Sequence, residues 1–556
     1  MDRQEEDQVS RLLLPGTILL IDKSGTSKTA EGKDGVLLIP QPSQEPNDPL
    51  NWSLTRKYWH IFITLLWAFF IQCAAAWTGP AWAVWNEELG LSYTTLNNGV
   101  GCLIFLCGLS IAFVVPWALK FGRRATYTFG SALTLSGLAF GLAMRTEGFY
   151  YAYAVLLGVG SSPSFSVNET SLLDITFVHQ RGTVLGLYAI ALTLGTVLSP
   201  IAAGYIVSAQ GWRWCFRYLL IFFGLTAVVL FLTGEETLYV RPGSSDTILG
   251  AVSNQADIGQ TRPSAKDANP EVRPTSGCPQ GGLESLPGAS DTADRQTSLA
   301  RYLSRMTLWR RDTHIRMSYF RLVWTPFLLL KLPAVVWAGV IVGLGTFWSS
   351  LVIVTQASIF AIPPYNFNSS SMGLMYFGLV IGALLGMAWG GPLHDATMYR
   401  LASRRNGIHE AEDRLWTFLP LPLTCSAGVL LWGVCGAYGV HWSVPCAGLV
   451  LIGFSLTASF SPAMGYAFDC YPALAGETVH LSNVVRNLIG GVFTFAIQPW
   501  ISLNGIRDTS IIIAVLGLVL NGTVVIFLWK GKAIRKRTRG IYLGLVDQVL
   551  VIPQPV

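Results

Sequence analysis

Charge is what this sequence has least of. Asp, Glu, Lys and Arg together make up 13% of its 556 residues, about half the ~25% of an average soluble domain. That shortage argues against a soluble globular enzyme. Regularly spaced cysteine is also missing: the nine Cys follow no repeating interval, which excludes a disulfide framework. Most of them fall in or beside apolar stretches, where a thiol acts as a small packing group. There is no Cys/His metal spacing, phosphate-cradling glycine loop or nucleophile–base arrangement. His409 and Asp413 have the His-x3-Asp spacing of acyltransferases, but that spacing recurs by chance, and a membrane enzyme is the remote alternative. Neither an enzyme nor a cofactor is expected. What is plentiful is apolar: 51% hydrophobic residues, 19 Trp and 56 Gly, with a mean hydropathy of +0.46. Disorder needs low hydrophobicity and is excluded for most of the chain. The composition is that of a membrane protein.

A membrane-spanning helix needs about 20 mostly apolar residues. Twelve segments qualify: 58–78, 95–118, 126–145, 149–172, 183–207, 216–233, 333–357, 372–392, 415–437, 442–466, 480–503 and 510–529. They are numbered one to twelve below. The first begins behind a polar stretch, so no cleavable signal peptide is expected. The pattern predicts an all-α membrane fold of twelve transmembrane helices in two pseudo-symmetric six-helix halves. Residues 1–57 form an N-terminal segment, 58–233 the first half, 234–332 a linker, 333–529 the second half and 530–556 a basic tail. The linker is rich in Ser, Pro, Gly and Asp up to residue 300 and reads as disordered. After it, Arg301, Arg305, Arg310, Arg311, Arg316 and Arg321 interleave with Leu303, Met306, Leu308, Trp309, Ile315 and Phe320. This suits a basic helix on an anionic membrane face, or a solvated approach to segment seven.

Orientation follows from where Lys and Arg gather. With both termini cytosolic, one face carries Arg56, Lys57, Lys120, Arg123, Arg124, Arg181, Arg400, Arg404, Arg405 and Arg414. It also carries the linker arginines, Lys331 and the tail from Lys530 to Arg539, while the opposite face has only Arg145, Arg213, Arg217 and Arg507. The net charge of +6 thus follows membrane topology, and no nucleic-acid partner is expected. The sequon Asn368-Ser369-Ser370 then lies outside as a glycosylation candidate. Asn51-Trp52-Ser53 matches too but falls inside.

The halves repeat. Lys120-Phe121-Gly122-Arg123-Arg124 follows segment two. Gly391-Pro392-Leu393-His394-Asp395 and Arg404-Arg405-Asn406-Gly407 stand in the matching connection of the second half. Segments five and eleven each have early glycine (Gly195; Gly490, Gly491) and late proline (Pro200; Pro499). Parallel six-helix repeats of this kind build transporters.

With these residues in view, the sequence resembles the major facilitator superfamily of secondary transporters, in its fungal drug:proton antiporter branch. The family's loop motif is present as Lys120-x-Gly122-Arg123-Arg124, with Leu119 where the family has an acid. The antiporter motif of segment five is present as Gly195-x3-Ser199-Pro200-x2-Ala203-Gly204, two glycines being replaced by small residues. Asp48-Pro49-Leu50-Asn51-Trp52, His179-Gln180-Arg181-Gly182, Gly211-Trp212-Arg213-Trp214, Arg404-Arg405-Asn406-Gly407 and Arg486-Asn487 complete the set. Together they cover nearly the whole chain.

The resemblance implies a gate of loop charges formed by Lys120, Arg123, Arg124 and Arg181. With Leu119 in the acidic slot the first-half gate is expected to be weak. Asp395 is expected to pair with Arg181 or to cap the start of segment five. Small residues and the proline of segment five permit close helix approach and a bend, which in resembling antiporters favours export. Ionisable groups inside a bilayer are functional candidates by default. Glu169 leads as the proton-coupling group, with Asp174 interfacial beside His179 and Arg181. Arg486, two turns into segment eleven, calls for a carboxylate or helix carbonyls nearby, unless it snorkels to the interface. Asp469 is expected in a cytosolic turn or gate. The arginine that this branch carries in segment four is absent here. By resemblance, segments one, four, seven and ten line the cavity, giving Gln72, Asn168, Trp348, Gln356 and Tyr466 as substrate-binding candidates, with Tyr376 on segment eight.

The reading is a proton-coupled, alternating-access exporter of small amphipathic organic molecules such as drugs, toxins or fungal secondary metabolites. Its expected partners are substrate, protons and membrane lipids, and it is expected to act as a monomer. An importer or exchanger of small organic cations such as polyamines is the competing reading. The location expected is the plasma membrane, a vacuolar membrane having the same signature.

Overall fold

The computed structural model describes residues 17–19, 48–238, 318–404 and 408–550, and of residues 17–19, 178–183, 402, 408, 409, 547, 549 and 550 only the backbone. The linker arginines from Arg301 to Arg316 and the Arg405-Asn406-Gly407 part of the second-half loop lie outside the described residues. Helix occupies every one of the twelve apolar segments. The first half comprises Leu54–Ala76, Tyr93–Phe121, Arg123–Leu142, Glu147–Ser161 with Val167–Asp174, Val178–Gln210 and Arg213–Thr233. The second comprises Pro333–Phe360, Ser369–Ala388, Leu421–Ala437, Ser443–Cys470 and the long run Ala475–Gly522, followed by Val524–Leu550. The only β structure among the described residues is an antiparallel pair, Thr17–Leu19 with Ile408–Glu410.

Nine helices among the described residues are long and apolar enough to cross a membrane. The difference from twelve has three local causes. Segment three is a helix of 20 residues, Arg123–Leu142, whose basic start and scattered hydroxyls dilute its apolar character. Segment four breaks at a 3-10 turn, Ser162–Phe165, because Pro163 has no amide hydrogen to continue the ladder. Serine hydroxyls absorb the disruption: Ser162 donates to the Val159 carbonyl at 2.8 Å and Ser164 to that of Ser161 at 2.8 Å. Segments eleven and twelve run on as one helix, divided at Gly505, whose φ of 73° and ψ of 170° no helix contains.

Segment eight also ends differently from the expectation. A π-turn at Trp389–Leu393 carries the helix past Pro392 into His394–Arg404, so Asp395 lies in a helical first turn rather than a loop. The basic tail is likewise helical, to Leu550.

The two halves meet along segments two with eleven and five with eight. Glycine is required where backbones touch. A Cβ on Gly491 would fall 2.8 Å from the Phe105 backbone, and one on Gly108 2.9 Å from the Leu488 nitrogen. On segment five a Cβ at Gly204 would meet the Ser369 carbonyl at 2.5 Å and Gly373 Cα at 2.9 Å. Small residues permit such van der Waals packing where lipid supplies no hydrophobic drive.

Gly491→Val should therefore wedge segments two and eleven apart and destabilise the chain by about 1–3 kcal/mol, the usual cost of overpacking. Gly186→Ala, where an added Cβ meets open space, serves as the matched control. Thermal unfolding of the purified protein checks both: a clear fall in Tm for the first and none for the second.

Candidate functional site: a carboxylate and a guanidinium between the halves

Glu169 stands in the first turn of Val167–Asp174, just past the break in segment four, and is 9% exposed. An ionised carboxylate in such surroundings is costly unless paired or hydrogen-bonded. Its neighbours come from the other half: Asn483 and Arg486 both lie within its electrostatic reach. Arg486 donates from Nε to Thr346 Oγ1 at 3.2 Å, and its guanidinium carbon sits 4.9 Å from the centre of the Phe165 ring. Asn483 Nδ2 donates to the Phe165 carbonyl at 2.8 Å. That carbonyl is available because the chain leaves the helix there. Tyr188 of segment five, whose hydroxyl donates to the Ser164 carbonyl at 2.6 Å, and Cys107 of segment two also face the pair. Glu169 is thus a carboxylate within electrostatic reach of Arg486, in a cluster drawn from segments two, four, five, seven and eleven.

The other substrate-binding candidates separate into two groups. Asn168 accepts from Tyr127 at 3.1 Å and donates to the Thr64 carbonyl at 3.1 Å, which fixes it inside the first half. Trp348 packs on Gly517. Tyr466 stacks edge-on with Trp337 and Phe527, both within the second half. The contacts of these three are with other segments of their own half; nothing in a helical pattern distinguishes such a face from one toward the other half. Gln72 lies under Gly195, where an added Cβ would approach it to 2.8 Å. Gln356 and Tyr376 converge on Gly79, at the end of segment one opposite the termini.

In the antiporter motif, Gly195 fits against the Phe69 carbonyl of segment one, while Pro200 and Gly204 fit against Gly373 of segment eight. Ser199 and Ala203 are buried between them. Asn368 is exposed and caps the helix that follows, accepting from the Ser371 amide at 2.9 Å.

The face that carries the chain termini, the basic face, is knitted by ion pairs. Arg123 pairs with Asp174 at 2.8 Å and bonds Thr170. Glu236 accepts the backbone amides of Arg123 at 2.9 Å and Arg124 at 3.1 Å, capping segment three from the end of segment six. Gly122, with φ at 102°, leaves the room that this carboxylate fills. Arg124 donates to the Phe231 carbonyl at 2.6 Å, Arg56 pairs with Glu235, and Lys120 occupies the last turn of segment two. Asp174 and Glu236, distant in sequence, bring acids to this loop, where position 119 is Leu. Pairing of Arg181 with Asp395, or of His179 and Arg181 with Asp174, falls on side chains outside the described residues. Asp395 itself is exposed.

In the second half Asp469 pairs with Arg414 at 2.5 Å. His394 stands beside them, its Nδ1 2.7 Å from Thr417 Oγ1. Glu410 meets Lys532 at 2.6 Å, and Glu412 meets Arg535 at 2.5 Å, with Arg535 only 1% exposed. Sequence reasoning missed Arg414, Asn483 and Arg535. The repeat held the signal for the first: Arg123–Asp174 ties segment three to four just as Arg414–Asp469 ties nine to ten.

This arrangement, two packed helical halves with a buried acid and a half-buried base where they meet, is that of a membrane transporter. The model of the Major Facilitator Superfamily matches residues 64–495, and the chain belongs to that family. It is 30% identical over 549 residues to the uncharacterized MFS-type transporter C1271.10c of Schizosaccharomyces pombe, covering 96% of this chain and 94% of that one. It is 29% identical to Protein HOL1 of Saccharomyces cerevisiae, with 94% of each covered. It is 24% identical to the MFS transporter cpaT of Aspergillus oryzae, with 89% and 91% covered. The human organic anion transporter MFSD10 superposes with a TM-score of 0.52 at 14% identity, over 84% of this chain and 99% of that one. The xylose transporter XylE of E. coli, in a partially occluded inward open conformation, does so with 0.52 at 13%, over 86% and 98%. The fold is theirs. The protein is a multi-pass membrane transporter.

Replacing Glu412 by Ala should strand a buried Arg535 charge and cost about 3–5 kcal/mol, whereas Glu412→Leu with Arg535→Met should recover most of the loss. Thermal unfolding of the three proteins in detergent checks the order.

Proposed function

We propose that this transporter exports small amphipathic organic molecules in exchange for protons, by alternating access, from a cytosol in which both termini and the basic face lie. The plasma membrane is the proposed location. The observation that carries the reading is Glu169, buried where the halves meet and facing Asn483 and Arg486 across them. A carboxylate there is a natural carrier for the coupled proton, since the group that gains or loses charge touches both halves that must rock. Protonation from outside weakens the hold of Glu169 on its surroundings and favours release of cargo. Loss of the proton to the cytosol resets the site, and Arg486 supplies the counter-charge to which the ionised acid returns. The antiporter-motif packing of segment five against one and eight supports exchange without leak.

A polyamine or other bare cation is less suited to this site, because Arg486 offsets the charge of Glu169 and a cation site would need further acid. The aromatic lining of Phe165 and Tyr188 suits an amphipathic cargo instead.

The test is flux in proteoliposomes holding the purified chain under an imposed pH gradient, with amphipathic dyes and spermidine offered in turn. Dye moving against the proton flow supports export. Spermidine alone moving, or cargo and protons moving together, overturns it. Glu169→Gln should reduce concentrative transport to the level of empty vesicles; a variant that still accumulates cargo uphill removes Glu169 from the mechanism.

A further inference from the structure

At the end of the bundle opposite the termini, segment one turns from Trp77 through Thr78 into a 3-10 turn, Gly79–Ala81. This corner presses on segments seven and eight. A Cβ on Gly79 would stand 2.9 Å from the Tyr376 hydroxyl and 3.3 Å from Gln356 Oε1. Gln356 is 0% exposed and Tyr376 1%. The Gln356 amide donates to the Met372 carbonyl at 2.6 Å, which fixes the side chain and turns its oxygen toward the corner. Neither that oxygen nor the Tyr376 hydroxyl has a hydrogen-bond partner, and the same holds for Thr78 Oγ1 next in the chain.

Leaving a buried polar atom unsatisfied costs about 1–3 kcal/mol, and native interiors keep few such atoms. Here an acceptor and a hydroxyl converge on one glycine, in a place where packing alone would be served better by Leu and Phe. The two groups are matched to one kind of partner. A hydroxyl donates to Gln356 Oε1 and accepts from the Tyr376 O–H, satisfying both at once.

We propose that Gln356 and Tyr376 form a hydrogen-bonding subsite for a hydroxyl group of the cargo, sealed by the Gly79 corner when this end of the bundle is closed and uncovered when it opens. Glycine stands at 79 because bare backbone seals the subsite and a side chain does not fit. Closure strips the partner from both polar groups, so the closed end is held with stored cost, and opening toward cargo or water recovers it. The inference leans on the export reading only in making this the exit side. The subsite itself stands on the contacts of Gly79.

Three full-length variants test it. Tyr376→Phe removes an unsatisfied hydroxyl and leaves the Gln356–Met372 hydrogen bond in place, so it should hold or raise the Tm of the purified chain. A fall of several degrees would mean that the hydroxyl makes a structural hydrogen bond, and would overturn the proposal. Gly79→Val should keep the corner from seating and expose the subsite. Equilibrium dialysis with 2-naphthol and 2-methoxynaphthalene then reads it, since the methyl ether has lost the donor. The hydroxyl probe should bind the Gly79→Val chain several-fold more tightly than its ether, and adding Tyr376→Phe and Gln356→Leu should abolish the difference. Equal binding of the two probes, or none, overturns the subsite. Should Gly79→Val fail to fold, the melting comparison on the wild-type corner still decides. A chain that passes these tests yet shows no proton exchange keeps the subsite and loses only the export reading.

Discussion

Removing an ion from water is the dearest step open to this chain, and the placement of its few charges follows from that cost. A carboxylate or guanidinium at membrane depth survives only beside its opposite or within a shell of hydrogen bonds. Arg123 with Asp174, Arg414 with Asp469, and Arg535 with Glu412 each join elements of one half. Glu169 and Arg486 differ in kind, because they lie within electrostatic reach of one another from different halves. The pairs within a half tie its own segments together, and this contact joins one half to the other.

Rigidity inside the halves and slimness between them go together. The seam is made of glycine and small residues on segments two, five, eight and eleven, where backbone meets backbone. Such contacts bring the backbones of the two halves together with little side chain between them at these glycines. The break in segment four adds a local exception. Pro163 and the surrounding serines interrupt the helix beside Glu169 and turn the Phe165 carbonyl toward Asn483, so a defect in one half becomes a hydrogen bond to the other.

Much of this was legible in the sequence. Twelve apolar segments, their six-and-six division, the antiporter motif, and Glu169 and Arg486 as separate charges in apolar stretches all show in residue type and spacing, since length, hydrophobicity and the rarity of charge are local properties; that the two charges come near one another does not. Which face of a helix looks across to the other half is not local. Trp348, Tyr466 and Asn168 read as cavity residues by type, and their neighbours on other segments of the same half left no local signal. The same holds at Leu119: Asp174 and Glu236 bring acids to that loop from about 55 and 117 residues away, distances that only the antiparallel packing of helices closes.

Glu235 and Glu236 fasten the first half just before the long polar connection departs. The cap on segment three is therefore contributed by residues that, by position, look like the start of a linker. A severed version of this transporter, with its halves produced as separate polypeptides, would have to be cut beyond Leu238. Cutting at the last apolar residue of segment six would deliver a first half whose third helix begins uncapped and whose Arg56 has lost its partner. The natural point of division is set by where those two acids are bonded, a few residues past the place where hydrophobicity ends.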